Sequence, residues 1–175
     1  MKLSRLNRLS HRWGSVLIAV PTLLVLLSGL VLQLKKEFAW IQPSTRRGTQ
    51  QTPQLSFDEI LMIARSAPQA AVTSWDDIDR LDVRPGKGVL KVRCKNRWEI
   101  QIDSATGSIL QTAYRRSDLI ESLHDGSFFG DIVKLGIFLP SAITLLLLWV
   151  TGLYLFAQPY LAKRKNKKRK ATQSS

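Results

Sequence analysis

The chain has 175 residues, of which 26 are lysine or arginine and 13 aspartate or glutamate, for a formal charge of +13. Its one cysteine, Cys94, excludes an intramolecular disulfide and any Cys-x-x-Cys redox or zinc motif. No phosphate-binding glycine loop, GxGxxG or HExxH occurs, and no hydrolase constellation is present.

The mean hydropathy of −0.04 averages a mosaic. Residues 1–15 form a basic N-terminus with Lys2, Arg5, Arg8 and Arg12 and no acid. Residues 16–34 are apolar and long enough to cross a hydrocarbon core about 30 Å thick as one helix. Pro21 lies near the start of that helix, where proline is tolerated best. The segment exceeds a usual signal-peptide core, and no clear small-x-small site precedes Lys35 and Lys36, so an uncleaved signal anchor is expected. Phe38 and Trp40 fit an interfacial aromatic belt.

Residues 35–54 read as a linker, with Pro43, Ser44, Thr45, Gly48, Thr49, Thr52 and Pro53 and few apolar side chains. A small α+β domain is expected over 55–117. Ser56 and Glu59 form a capping-box pair, followed by Ile60, Leu61, Ile63 and Ala64 on one face of a helix over 57–66, which Pro68 ends. Leu81–Arg84 is a candidate first strand. Leu90, Val92 and Cys94 then alternate with Lys91, Arg93 and Lys95, and Trp98, Ile100 and Ile102 alternate with Glu99, Gln101 and Asp103. Period two predicts strands with one buried and one wet face. Turns fall at Pro85–Gly88, Lys95-Asn96 and Ser104–Gly107, and a last strand at Ser108–Tyr114 closes an antiparallel meander. Glu59, Asp76, Asp77, Asp79 and Asp82 read as a solvated acidic face, and Cys94 as a small buried residue, with an intermolecular disulfide as the sharper reading.

Residues 118–135 read as a juxtamembrane segment carrying His124, with a short interfacial helix and a bend at Gly126 or Gly130. Residues 136–157 form a second apolar span, with Pro140 near its start. The tail, 158–175, carries Lys163, Arg164, Lys165, Lys167, Lys168, Arg169 and Lys170. It lacks the interleaved aromatics of a nucleic-acid site and suits anionic lipid headgroups. With both ends basic and every acid between the spans, the positive-inside rule puts both termini in the cytoplasm.

Several of these segments resemble a known family. Trp98–Asp103, the Asp103-Ser104-Ala105-Thr106-Gly107 turn and Ser108-Ile109-Leu110 resemble the signature hairpin of the PepSY domain. His11-Arg12-Trp13, Leu123-His124-Asp125-Gly126, Ser28-Gly29-Leu30 and Thr151-Gly152-Leu153 resemble the flanks of the PepSY-associated transmembrane family, from Leu9 to Phe156. The resemblance implies two transmembrane helices with a small extracytoplasmic α+β PepSY-like domain between them. Larger members have four spans and include inner-membrane ferric-siderophore reductases that hold haem through membrane histidines. This chain departs from them, with two spans and two histidines.

The resemblance makes His11 and His124 the candidate ligands of a haem b, since imidazole is a common axial ligand. They precede opposite ends of antiparallel spans, which separates them by roughly 30 Å and forbids one iron between them. A homodimer or larger membrane complex would pair each with a second ligand and support transmembrane electron transfer in iron or siderophore acquisition. The simpler reading makes both interfacial side chains. The alternative function is a membrane-anchored PepSY module that binds or regulates an extracytoplasmic peptidase, peptide or other protein, with the sheet edge expected around Trp98–Asp103.

Overall fold

A computed structural model of the chain describes the backbone of residues 2–173 and the side chains of residues 7–160 and Lys163. The rest of the basic tail, with its expected lipid contacts, lies outside the described side chains. The chain divides into two compact units, one of Met1–Leu27 with Leu123–Ser175 and one of Ser28–Ser122.

The first unit is helical. Helix α1 spans Lys2–Leu17 and α2 spans Ala19–Gln33. The two meet at a 63° bend. Pro21 supplies the cause, because its ring opposes the carbonyl four residues back, at Leu17, and it has no N–H to donate there. The unbroken span expected over 16–34 is therefore not formed. The 15 residues of α2 alone reach only about 22 Å, less than a hydrocarbon core. The bent pair satisfies the length and hydropathy of a span only if it acts as one.

The second apolar stretch is continuous. Asp131–Tyr160 is 30 residues long with a mean hydropathy of 2.0 and contains the predicted 136–157. It comprises α5 (Asp131–Val133), a π-helical turn (Lys134–Phe138) and the start of α6 (Leu139–Gln173). Pro140 follows the π turn, which suits the missing N–H of proline. Only 6% of the apolar window is buried within the chain. A core helix of a water-soluble protein would hide most of that surface, so these side chains need another apolar medium. Helix α1 packs on α6 at Gly14, where an added Cβ would lie 3.3 Å from Leu148 Cδ2.

The second unit is a four-stranded antiparallel meander in the order β1 (Ile78–Arg84), β2 (Val89–Cys94), β3 (Trp98–Asp103) and β4 (Ile109–Tyr114). The first strand begins three residues before the predicted Leu81. Helix α3 (Phe57–Arg65) starts at the expected capping box, with Ser56 N donating to Glu59 Oε2 at 2.8 Å and Glu59 N donating to Ser56 Oγ at 3.3 Å. Its Ile60 and Ala64 close over Leu90, Val92, Cys94, Ile100 and Ile102. Cys94 is 5% exposed in this core. Burial, with the Asp77 charge, pushes its thiol up to about 11, which suits a packing residue better than a disulfide former. Strand β3 is internal, so Trp98–Asp103 is not a sheet edge as expected; the edges are β1 and β4.

The alternation of β2 and β3 is as predicted, but the second face is not wet. Lys91, Glu99, Gln101 and Asp103 are all buried. Residues 41–54 cross that face instead of hanging as a free linker. Gln101 acts there almost as a strand residue, its Oε1 accepting from Arg46 N at 2.7 Å and its Nε2 donating to Ser44 O at 2.9 Å. Gly48 N donates to Lys87 O at 2.8 Å and Gln54 N to Ser104 O at 2.8 Å.

The strap approaches the β1–β2 turn too closely for a side chain. A Cβ on Gly48 would lie 1.9 Å from Gly88 O, a backbone atom. Gly88 itself has φ +64. Gly48→Ala is expected to cost about 1–3 kcal/mol by forcing the strap off the sheet. Amide hydrogen exchange at Arg46 and Thr49, whose N–H groups bond Gln101 and Asp103, checks this, and unchanged protection contradicts it.

Helix α4 (Arg116–His124) leads out of this unit. The predicted bend is taken twice, with Gly126 at φ +80 and Gly130 at φ +90.

Candidate functional site

His11 sits on α1 and faces α6. Its Nδ1 lies 3.4 Å from Thr151 Oγ1, a long hydrogen bond. A Cβ on Gly152 would sit 3.6 Å from His11 Cε1, so the glycine leaves open the space beside the ring. Thr151 Oγ1 lies 2.9 Å from Leu147 O and 3.1 Å from Leu148 O. Both carbonyls can only accept, so the one hydroxyl proton is committed to the helix backbone. Toward His11 the oxygen then accepts and Nδ1 donates. In the neutral ring this leaves the lone pair on Nε2.

His124, the last residue of α4, makes an analogous contact. Its Nδ1 lies 3.1 Å from Val25 O, in the turns of α2 below the bend. A carbonyl cannot donate, so Nδ1 carries the proton here too. The turn that follows is held by Asp125, which accepts from Ser127 N at 2.9 Å, Ser127 Oγ at 2.6 Å and Lys134 Nζ at 2.8 Å. Burial works against the Asp125 charge, but the bonds from Lys134 and Ser127 outweigh it and hold the carboxyl at about 2. Asp125 thus braces the turn and does not orient the imidazole, and Glu121 is engaged by Lys35 at 2.9 Å.

The structure does not bring the two histidines together, yet they are closer than a bilayer thickness. His11 lies beside Thr151. Val25, the partner of His124, shares an apolar groove with Phe138, Ser141 and Leu145 of the same long helix. At 1.5 Å per residue the axial offset between these levels is on the order of 10–20 Å, not the 30 Å expected.

For haem, this donor set is half a site at each level. Among the described residues no group of three or more His, Cys, Asp or Glu could hold a metal ion. The larger groove of the helical unit, about 270 Å³ between Leu17, Pro21, Pro140 and Thr144, is lined by neither histidine. The tethering of each Nδ1 by a hydrogen-bond acceptor is the arrangement that orients metal-binding imidazoles.

The sheet unit holds a different concentration of charge. Glu99, fully buried, accepts from Arg115 Nη1 at 2.7 Å, Lys91 Nζ at 3.1 Å and Gln101 Nε2 at 2.8 Å. Arg115 also donates from Nε to both oxygens of Asp118 at 3.1 Å. These bonds tie β2 and β3 to the start of α4, which makes the cluster a structural lock for the strap face.

Asp103 closes the hairpin. It accepts from Thr49 N at 2.8 Å, Thr49 Oγ1 at 3.2 Å, Ala105 N at 2.9 Å and Thr106 N at 3.2 Å. Gly107 completes the turn at φ +77. The Asp-x-x-Thr-Gly sequence is thus both a turn and the anchor of the strap.

A family model described as the PepSY-associated TM region matches residues 8–174, nearly the whole chain. The chain belongs to the PepSY-associated TM region family. No curated protein and no solved structure matches it. The family and the lipid-seeking helix together make this a membrane-associated PepSY protein with a small antiparallel sheet unit. Within this PepSY protein, Thr151 and Gly152 gain a specific meaning. They stood out in the sequence only within the Thr151-Gly152-Leu153 flank pattern, and they form the seat of His11. The acceptor for His124, a backbone carbonyl of α2, left no signal in the sequence.

Proposed function

We propose that this PepSY protein spans the bacterial inner membrane twice, with both termini cytoplasmic and the sheet unit extracytoplasmic. In that arrangement His11 and His124 each give one axial imidazole to a b-type haem completed by a second copy or a partner subunit. The haem would supply one-electron chemistry for transmembrane electron transfer in iron or siderophore acquisition. The observation that carries the reading is the seat of His11, whose Nδ1 is tethered to Thr151 beside Gly152 so that Nε2 bears the lone pair. Thr151 acts as a positioning residue.

The test is an absorption spectrum of the detergent-purified full chain, expressed with added haem, before and after dithionite. A reduced b-type spectrum is expected, roughly halved in His11→Ala and in His124→Ala and lost in the double variant. Thr151→Val should retain the colour and shift the midpoint potential. A colourless wild type sinks the haem reading.

A second reading has its own support in the sheet. Both edges, β1 and β4, present unpaired backbone to an incoming strand, with Val83 and Ile109 exposed beside them. The anchored unit would then bind an extracytoplasmic peptide or peptidase. Partner binding that survives loss of both histidines and fails on proline substitution in β1 or β4 would select it.

A further inference from the structure

A cleft of the sheet unit, about 590 Å³, is lined by Lys35, Lys36, Arg84, Lys87, Lys91 and Arg93, with Gln42, Ser44 and Thr45 as neutral polar groups. No acidic residue lines it. Three carboxylates contact these cations. Glu99 engages Lys91 at 3.1 Å and lies 3.7 Å from Arg93 Nε. Asp82 lies 3.1 Å from Arg93 and 3.9 Å from Arg84, and Glu121 lies 2.9 Å from Lys35. Three acids thus oppose six cations, and Lys36 and Lys87 have no carboxylate partner among the described residues. Arg93 is held at 13% side-chain exposure by its two carboxylates, so part of the positive wall is rigid.

A concave site of this size, net positive and with convergent donors, suits a ligand with a localised negative charge. We propose that this cleft is a binding site for a phosphate group, and that the phosphate belongs to the headgroup of an anionic lipid. The lipid is favoured by chain connectivity. Lys35 and Lys36 follow Gln33, the last residue of the apolar α2, by two and three residues, so they stay within about 7–11 Å of its end. At such a position lysine and arginine side chains are attracted to anionic lipid headgroups.

The test uses the full chain in an uncharged maltoside detergent at about 0.15 M salt, where long-range attraction is screened. Dihexanoyl phosphatidylglycerol, dihexanoyl phosphatidylcholine and inorganic phosphate are titrated separately and followed by phosphorus NMR. The glycerol lipid is expected to bind at least tenfold more tightly than the choline lipid or phosphate. The variant Lys36→Ser/Arg84→Ser/Lys87→Ser, changed only at exposed residues, should weaken it at least tenfold with the basic tail intact. Lys36→Glu alone should weaken it by charge reversal without touching the sheet. Inorganic phosphate binding as tightly as the lipid, and failing in the same variants, keeps the phosphate site and assigns it to a soluble phosphate compound. Equal binding of the choline lipid, or unchanged binding in both variants, overturns the proposal.

Discussion

Glu99→Ala is expected to cost about 3–5 kcal/mol of stability in the sheet unit, among the largest losses available from one side chain. The carboxylate is fully buried and serves Lys91 and Arg115, themselves only 3% and 2% exposed. Removing it takes the carboxylate from Lys91 and the shorter of two carboxylate contacts from Arg115, and removes the acceptor that holds Gln101 against the strap. Arg115 keeps Asp118, so the exposed charge of Lys91 dominates the penalty. A contrast separates this cause from lost packing. Lys91→Met with Glu99→Leu removes the pair together and should cost less than Glu99→Ala alone, because no buried charge is orphaned. Urea unfolding of the full chain in detergent, followed by Trp98 fluorescence, checks both. A double variant less stable than the single one contradicts the account.

The same cluster shows where sequence reading stops. Period two placed Lys91, Arg93, Glu99, Gln101 and Asp103 on one face, and the register confirms it, pairing Lys91 with Gln101 and Arg93 with Glu99. Alternation states which residues share a face. It does not state whether another segment covers that face. The covering segment, 41–54, has the polar, proline-containing composition of a linker, and its bonds run through backbone groups and one glutamine. Composition carries no trace of such bonds. The capping box at Ser56 and Glu59 was legible because both of its hydrogen bonds are local and depend on side-chain identity.

The helical unit divides in the same way. Apolar length located both hydrophobic segments. The break at Ile18 follows from Pro21 acting on Leu17, a consequence of the i−4 rule that apolar length alone conceals. His11 and His124 were legible as the only histidines. Their neighbours depend on how α1, α2 and α6 pack, and a long-range contact between helices leaves no periodic signature. The residues Thr151 and Gly152 were the one hint, since the hydroxyl contacts the His11 ring and the glycine lies beside it.

Asp103 carries the second large effect, and its sign is fixed by pH. Burial opposes its charge, but the amides of Ala105, Thr49 and Thr106 and the Thr49 hydroxyl outweigh burial and hold its carboxyl at about 2. An unfolded aspartate titrates at about 3.9. The folded state therefore binds its proton more weakly than the unfolded state. The resulting stabilisation is fully present above about pH 4 and is lost as pH falls toward 2. Asp103→Ala is expected to cost about 3 kcal/mol at pH 7, because the donors of the turn and of the strap lose one shared acceptor. The gap between wild type and Asp103→Ala should narrow between pH 4 and pH 2. Asp125 also titrates from a depressed value, Glu59 is lowered by its capping bonds from Ser56 and Asp77 by bonds from Thr73 and Ser74, so wild type alone does not isolate the effect. The difference between the two proteins does. Thermal melting of both across pH 7 to 2 measures it. A gap that stays constant or widens in acid would show that Asp103 acts through shape alone, and the charged anchor joining the signature turn to the strap would have to be abandoned.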